Sequence, residues 1–250
     1  MTYILQYNNH LKEDPVTHIV MAPHISIIIP AHNEENYIRQ TLHSIKNQTY
    51  QDFEVIVVTN GCTDKTEEIL KKRENERVKH FTLPTANVSR ARNYGASKAE
   101  GDLLLFLDAD TQLANDSLQK MKNQFSPEYA VATTTVAPDE ITFPFTLAMR
   151  FKSFNLKTGL YKGCSGALLC RHADFDAVNG YDSELVVREH RKLILKLMEK
   201  GKYNCIDTSV TTSMRRLKNW GIGKVSYFWL QQFIKDKTGR LQSSEYEKVR

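Results

Sequence analysis

Four short apolar runs alternate with helix-like stretches between residues 25 and 107, and few folds accept that pattern. ISIIIP (residues 25–30) reads as a strand buried on both faces, closed by a proline with no amide hydrogen for a ladder. The loop AHNEEN leads into a stretch with Ile38, Leu42 and Ile45 at helical spacing. FEVIVV (residues 53–58) is a second buried strand, ended by the turn TNGCTD. Asp64, followed three residues later by Glu67, predicts a capping box for the next helix. A weaker third strand spans residues 78–83, and SRARNYGASKAEG predicts an Ala-rich helix with Gly101 as its stop. LLLFL (residues 103–107) is the fourth strand. Such alternation predicts a single α/β domain, a Rossmann-like and mostly parallel sheet with helices on both faces. Ligands of these sheets bind beyond the carboxyl ends of strands, near a reversal in strand order. The loops PAHNEE, TNGCTD and DADT leave such ends and are predicted to meet on one rim.

The third of these loops places Asp108 and Asp110 directly after five apolar residues. Carboxylates are costly to desolvate unless they meet a cation or several donors. The pair therefore either caps a turn or holds something positive, such as a hard divalent metal that prefers carboxylate and phosphate oxygens. The second half is less regular. FTLAMRFKSFNL predicts an amphipathic helix, GCSGALLCR a short buried strand entered through glycines, and REHRKLILKLMEKGK a helix with Leu193 and Leu197 on its face and Gly201 at its end. Residues 220–234 are dense in aromatics beside lysines, without one clean apolar stripe. Packing onto the core or a partner is the favoured reading there, ahead of lipid contact.

The 250 residues, 41% hydrophobic and 25% charged, suffice for one large α/β domain. No apolar stretch approaches the roughly 18 residues of a transmembrane helix. MTYILQYNNHLKEDP lacks the basic start and long apolar stretch of a signal peptide. The expectation is a cytoplasmic protein, at most peripheral to a membrane. Cys62, Cys164, Cys170 and Cys205 form no CxxC pair, so reduced structural thiols are expected. Residues 213–250 hold nine Lys/Arg against three Asp/Glu, within a chain of net charge +5. That end suggests an anionic partner for Arg215 and Arg216 and a solvated tail beyond. No recognisable nucleic-acid module accompanies the basic residues, and no nucleic-acid partner is expected.

In their order, SIIIPAHNEENYI, VIVVTNGCTDKT, SRARNYGASKAEGDLLLFLDADT, NGYDSEL and EHRKLILKLMEKGKY resemble an inverting family 2 glycosyltransferase of the GT-A fold, over roughly residues 25–216. The resemblance implies transfer of a hexosyl or N-acetylhexosaminyl group from a nucleotide-diphospho-sugar to an acceptor hydroxyl. It implies an N-terminal extension over 1–24 and a GT-A domain over 25–217, with a nucleotide-binding half near 25–112 and an acceptor half near 113–217. An aromatic and basic helical segment would follow over 218–237, then a flexible tail over 238–250.

By the same resemblance, Asp108 and Asp110 coordinate Mn2+ or Mg2+ at the donor diphosphate, with Asp108 also among the nucleotide-binding residues. Ala31 and Glu34 line the base and ribose pocket, and Arg92 lies near the nucleotide, its alternative being a surface helix arginine. Asn60 stands with Thr59 where the family often has two acidic residues, and its amide can meet a base edge. A UDP-sugar is expected ahead of a GDP-sugar. Arg215 and Arg216 close over the diphosphate, a role suited to bidentate guanidinium contacts. Gly166 lets backbone approach the sugar, and Asp182 shapes the acceptor side.

The family usually takes its base from a Glu-Asp pair at the start of the late helix, where this chain has Glu189-His190. Glu189 is the base, or His190 is, or activity is lost. Acceptors in view are a glycan, a lipid-linked or a small molecule. The C-terminal segment covers the acceptor site, touches a membrane or forms a homodimer. Rival readings are a non-catalytic nucleotide-sugar-binding protein, a nucleotidyltransferase and a haloacid-dehalogenase-type phosphatase. PAHNEE lacks the glycine-rich phosphate loop of the second, and Gln112 stands where the third wants Thr or Val.

Overall fold

The computed structural model describes residues 24–185 and 187–238. The extension expected over 1–24 and the tail expected over 238–250 lie outside the described residues, apart from His24 and Thr238. The strands are β1 (Ile25–Ala31), β2 (Phe53–Asn60), β3 (Val78–Leu83), β4 (Leu103–Leu107), β5 (Thr111–Leu113), β6 (Tyr129–Pro138), β7 (Ala167–Arg171) and β8 (Lys202–Thr212). The helices are α1 (Ile38–Lys46), α2 (Thr66–Lys71), α3 (Val88–Ala96), α4 (Ser117–Gln124), α5 (Phe143–Thr158), α6 (His172–Ala177), α7 (Glu189–Leu197) and α8 (Arg215–Lys237).

One sheet joins the strands in the order β3-β2-β1-β4-β7-β6-β8-β5. β1–β2, β2–β3, β1–β4 and β6–β8 pair in parallel, and β4–β7, β6–β7 and β5–β8 antiparallel. Every residue of β1, β2 and β4 is buried. Alternate residues explain why these runs are continuously apolar: Ile25, Ile27 and Ile29 pack with Ile38, Leu42 and Ile45 of α1 on one face. Ile28, Leu104 and Phe106 pack with Phe175 of α6 and Leu193 and Leu197 of α7 on the other. The chain builds β2 and β3 on one side of β1 and then crosses to place β4 on the other. That reversal sets the crevice between β1 and β4 as the place for a ligand.

Several boundaries depart from expectation. α3 ends at Ala96 with Ser97 as its cap, short of Gly101. Asp64 Oδ1 does accept from Thr66 N at 2.9 Å, but the Glu67 carboxylate meets Thr59 Oγ1 at 3.4 Å instead of closing a capping box. α7 stops at Leu197, before Gly201. Gly201 serves a close approach, because a Cβ there would stand 2.9 Å from Glu128 O. The aromatic segment expected from residue 218 begins inside α8, which is broken at Gly221 (φ 73°, ψ 159°) into two helical pieces. No helix among the described residues is long and apolar enough to cross a membrane.

Candidate active site

The first two loops predicted to share the rim are bonded to each other and to the start of α2, and the third is bonded to α1. Glu34 N donates to Thr66 Oγ1 (2.7 Å), Glu35 N to Asp64 Oδ2 (3.1 Å), and Thr41 Oγ1 to Ala109 O (2.7 Å). With the approach to β7 and the end of β8 they enclose a cavity of about 1120 Å³. Glu34, Asn60, Arg92, Asp108, Asp110, Gly166, Glu189, His190, Arg215 and Arg216 all line it. Residues from positions 34 to 216 thus converge because their strands end on one edge.

Two arginines organise the carboxylates. Arg92, on α3, is only 3% exposed; its Nη1 donates to Glu189 Oε1 and its Nη2 to Asp108 Oδ1, both at 2.8 Å. Its guanidinium also lies over the Tyr181 ring, 5.2 Å from the centroid. It is therefore no surface arginine, whereas Arg90 is exposed. Arg215 donates from both Nη atoms to the buried Glu34 carboxylate at 2.8 Å and reaches Asp110 Oδ2 at 2.9 Å, over the ring of Tyr37.

The cleft walls would by desolvation raise the Asp108 carboxyl, but His190 and the Arg92 guanidinium outweigh them and hold it well below the usual carboxylate range. Arg92 is the partner in hydrogen-bond contact; His190 Nε2 stands 3.9 Å away. Asp108 is thus ionised at neutral pH, with its side chain 38% exposed. Gly166, at φ +109°, passes beside it: a Cβ there would come 2.8 Å from Thr111 Oγ1 and 3.5 Å from Asp108 Oδ2. Gly166 O in turn accepts from Asp108 N at 2.9 Å. Among the described residues no three His, Cys, Asp or Glu side chains are grouped to hold a metal by themselves. Two carboxylates beside a glycine-made space suit a cation that brings phosphate oxygens with it, since Mg2+ is commonly held by one or two carboxylates plus substrate phosphates.

Around the Glu189-His190 pair, Arg92 holds Oε1 of Glu189, while Oε2 takes no hydrogen bond from any described residue. Tyr181 Oη lies 2.9 Å from His190 Nδ1. That contact ties the imidazole to the phenol, whichever of the two donates. Nε2 is buried and unbonded, 3.9 Å from Asp108 Oδ1 and 4.0 Å from Glu189 Oε1. α3 also secures the segment leading to this pair. Asn87 Nδ2 donates to Ser183 O, Ser89 Oγ to Leu185 O and Asn93 Nδ2 to Tyr181 O, and Tyr181 N donates back to Asn93 Oδ1.

Two predicted residues stand apart from the cavity lining. Ala31 is fully buried, with its carbonyl accepting from Asn60 Nδ2, and its neighbours Pro30 and His32 face the cavity instead. Asp182 caps a turn by accepting from Glu184 N at 3.0 Å. Tyr181, one residue earlier in the same motif, is the side chain that touches Arg92 and His190. Lys152 of α5 also lines the cavity. Burial pushes its ammonium down, against the pull of Cys164, Asp108 and Asp110. Its sequence signal was a lone lysine within an amphipathic helix, which carries no chemistry by itself. Cys164, beside it, has its thiol pushed up to about 12 by burial and is no nucleophile at neutral pH. The four cysteines are free thiols, as expected.

A strand-order reversal with an acidic pair at its carboxyl edge and arginines facing that pair makes this crevice the candidate ligand site of an α/β protein. The chain belongs to glycosyl transferase family 2, whose model matches residues 26–176. An uncharacterized glycosyltransferase of Haemophilus influenzae is 43% identical over 114 residues, 44% of this chain and 46% of that protein. The hyaluronan synthase of Pasteurella multocida is 26% identical over 225 residues, 85% of this chain and 23% of the synthase. The chain spans less than half the length of these relatives. Among solved structures, S. aureus TarS 1-349 in complex with UDP-GlcNAc superposes with a TM-score of 0.61 at 22% identity, covering 76% of this chain and 58% of that one. The mannosyltransferase PcManGT from Pyrobaculum calidifontis, in complex with GDP-Man and Mn2+, gives 0.63 at 17% identity, covering 77% and 57%. These likenesses confirm the GT-A fold.

Proposed function

We propose that this chain transfers a sugar from a nucleotide-diphospho-sugar to an acceptor hydroxyl with inversion, in a reaction that depends on a divalent cation. The observation that carries the reading is the convergence of Asp108, Asp110, Arg92, Arg215 and Arg216 with Glu189 on one cavity. Asp108 and Asp110 would hold Mn2+ or Mg2+, which when bound offsets charge on the departing diphosphate. Arg215 and Arg216 meet the diphosphate from the other side, and Arg215 exchanges its carboxylate contacts for phosphate oxygens. Asn60, whose amide bonds Ala31 O and Asn87 N, keeps one hydrogen and one lone pair for a base edge. The donor is a UDP-sugar ahead of a GDP-sugar.

Glu189 takes the acceptor proton as the hydroxyl attacks the anomeric carbon, in a single displacement. Arg92 fixes one of its oxygens and leaves the other for the acceptor. His190 is the weaker choice, because its Nε2 is buried and its Nδ1 is engaged by Tyr181. The protein works in the cytoplasm, on a glycan, lipid-linked or small-molecule acceptor, and its C-terminal segment covers the acceptor side. A second reading, a non-catalytic nucleotide-sugar-binding protein, draws on His190 standing where an aspartate is usual.

Thermal-shift titration with UDP and GDP, with and without Mn2+, tests the donor site, and metal-dependent stabilisation is expected. A screen of nucleotide sugars for hydrolysis then separates the readings. Stabilisation without hydrolysis by any donor selects the binding protein, and no stabilisation by either nucleotide removes both.

A further inference from the structure

The apolar stripe of α5 faces solvent. Phe143, Leu147, Phe151 and Phe154, spaced four, four and three residues apart, are each between 57% and 83% exposed. Ile141 and Leu160, also exposed, extend the stripe beyond both ends of the helix. That spacing puts the four helical side chains on one face. Single exposed apolar residues are ordinary, but a continuous row of them marks a surface that meets something else. The other side of α5 is already occupied: Met149 and Lys152 line the cavity and Leu156 is buried. α8 is built the same way. Val225, Trp229 and Phe233 line the cavity, while Tyr227, Leu230 and Ile234 are exposed at their own helical spacing.

Charge narrows the occupant. Residues 141–162 contain Arg150, Lys152, Lys157 and Lys162 and no acidic residue. α8 contains Arg215, Arg216, Lys218, Lys224, Lys235 and Lys237 against Asp236 alone. The two segments carry more positive charge than the net +5 of the whole chain, so the remainder is acidic on balance. Phenylalanine and leucine on one face with lysine and arginine beside them is the composition of a helix that lies in a lipid interface.

We infer that the outward stripe of α5, joined by that of α8, docks this protein on a bilayer rich in anionic headgroups, with the cavity flanked by the docked helices. The apolar side chains enter the boundary between headgroups and acyl chains, and the exposed Arg150, Lys157 and Lys224 meet lipid phosphates, while Lys152, Arg215 and Arg216 stay with the cavity. A second copy is the poorer occupant, because a two-fold contact would set one basic stripe against its own duplicate. The inference concerns the helices alone and stands whether or not the cavity transfers sugar.

Co-sedimentation with phosphatidylcholine vesicles, with and without phosphatidylglycerol, tests it. The protein should sediment with the anionic vesicles and be released by salt. The triple variant F143S/F151S/F154S should lose binding while keeping the wild-type melting temperature. The charge variant R150E/K157E, which leaves the apolar stripe intact, should bind at least about tenfold more weakly. Failure to bind anionic vesicles, or undiminished binding by both variants, overturns the inference. So does a dimer in sedimentation velocity that the triple variant abolishes while vesicles recruit nothing, since the face then belongs to a second copy.

Discussion

Replacing Arg92 with methionine keeps a long side chain in place but removes one guanidinium that serves two carboxylates. In the wild type it holds Asp108 Oδ1 and Glu189 Oε1 at 2.8 Å each from a site only 3% exposed. Breaking a buried ion pair by deleting one partner costs about 3–5 kcal/mol, because the other charge is left unpaired. Glu189 is 13% exposed and pays that penalty nearly in full, whereas Asp108, at 38%, recovers part of its hydration from the cleft. The expected loss is therefore near the lower end, about 3 kcal/mol. For a chain of this size that lowers the melting temperature by about 6–12 °C. The pH dependence has a definite sign. The folded-state pKa of Asp108 is depressed, so its stabilising contribution is complete above the unfolded value and disappears as pH falls through the folded one. R92M lacks the Arg92 share of that contribution, and the gap between the two proteins must narrow on acidification. Calorimetric melts without nucleotide, at neutral pH and at about pH 4 near the unfolded carboxyl value, measure it. Arg92→Lys retains the charge without the planar fork and should recover only part of the loss. A deficit under about 1 kcal/mol at neutral pH, the size of a surface pair, would refute the reasoning, as would a gap that widens in acid.

Arg215→Met removes the two-pronged guanidinium contact to the buried Glu34 carboxylate and should cost about 3 kcal/mol in urea denaturation. Adding Glu34→Gln should restore most of it, and a double variant no more stable than R215M rules out the pairing as the cause. Gly166→Ala forces a side chain into φ +109° and against Thr111 Oγ1, so a loss of about 1–3 kcal/mol is expected, together with weaker Mn2+-dependent stabilisation by UDP. An alanine variant of unchanged stability would show that the backbone relaxes there freely. Glu189→Gln should lower turnover by about 10²–10⁴-fold, the span of a lost general base. His190→Gln should be milder, and the reverse ranking would assign the proton to His190.

Much of the first half was legible because burial on both faces leaves an unmistakable mark. β3 and β4 fall on the expected residues, and β1 and β2 start where predicted, since the apolar runs of β1, β2 and β4 must be desolvated throughout. β6 and β8 left no such mark. Their threonine-rich sequences, YAVATTTVAP and KYNCIDTSVTT, include hydroxyls that reach distant partners, as when Thr133 Oγ1 donates to Ala167 O and Thr135 Oγ1 to Thr208 O. Asp108 and Asp110 were readable from their position after β4, but the fork of Arg92 across Asp108 and Glu189 joins residues 97 apart in the chain and has no local signature. Tyr181 went unremarked for the same reason. α5 shows a different limit: spacing tells which residues share a helix face but not whether that face meets protein or solvent. α8 lacks one clean stripe because two of its faces are apolar, one toward the cavity and one outward.

The row of α3 side chains that grips the segment around residues 181–189 bears on recombination between relatives. Asn87, Ser89, Arg92 and Asn93 come from the first half, yet they set where the second half presents Glu189. A chimera joined after β5, which takes its later half from another family member to change the acceptor, separates the lock from its key unless α3 is exchanged as well. The practical unit of exchange is therefore discontinuous: residues 87–93 travel with residues 181–189, and a crossover that respects only the linear halves misplaces Glu189, the proposed base.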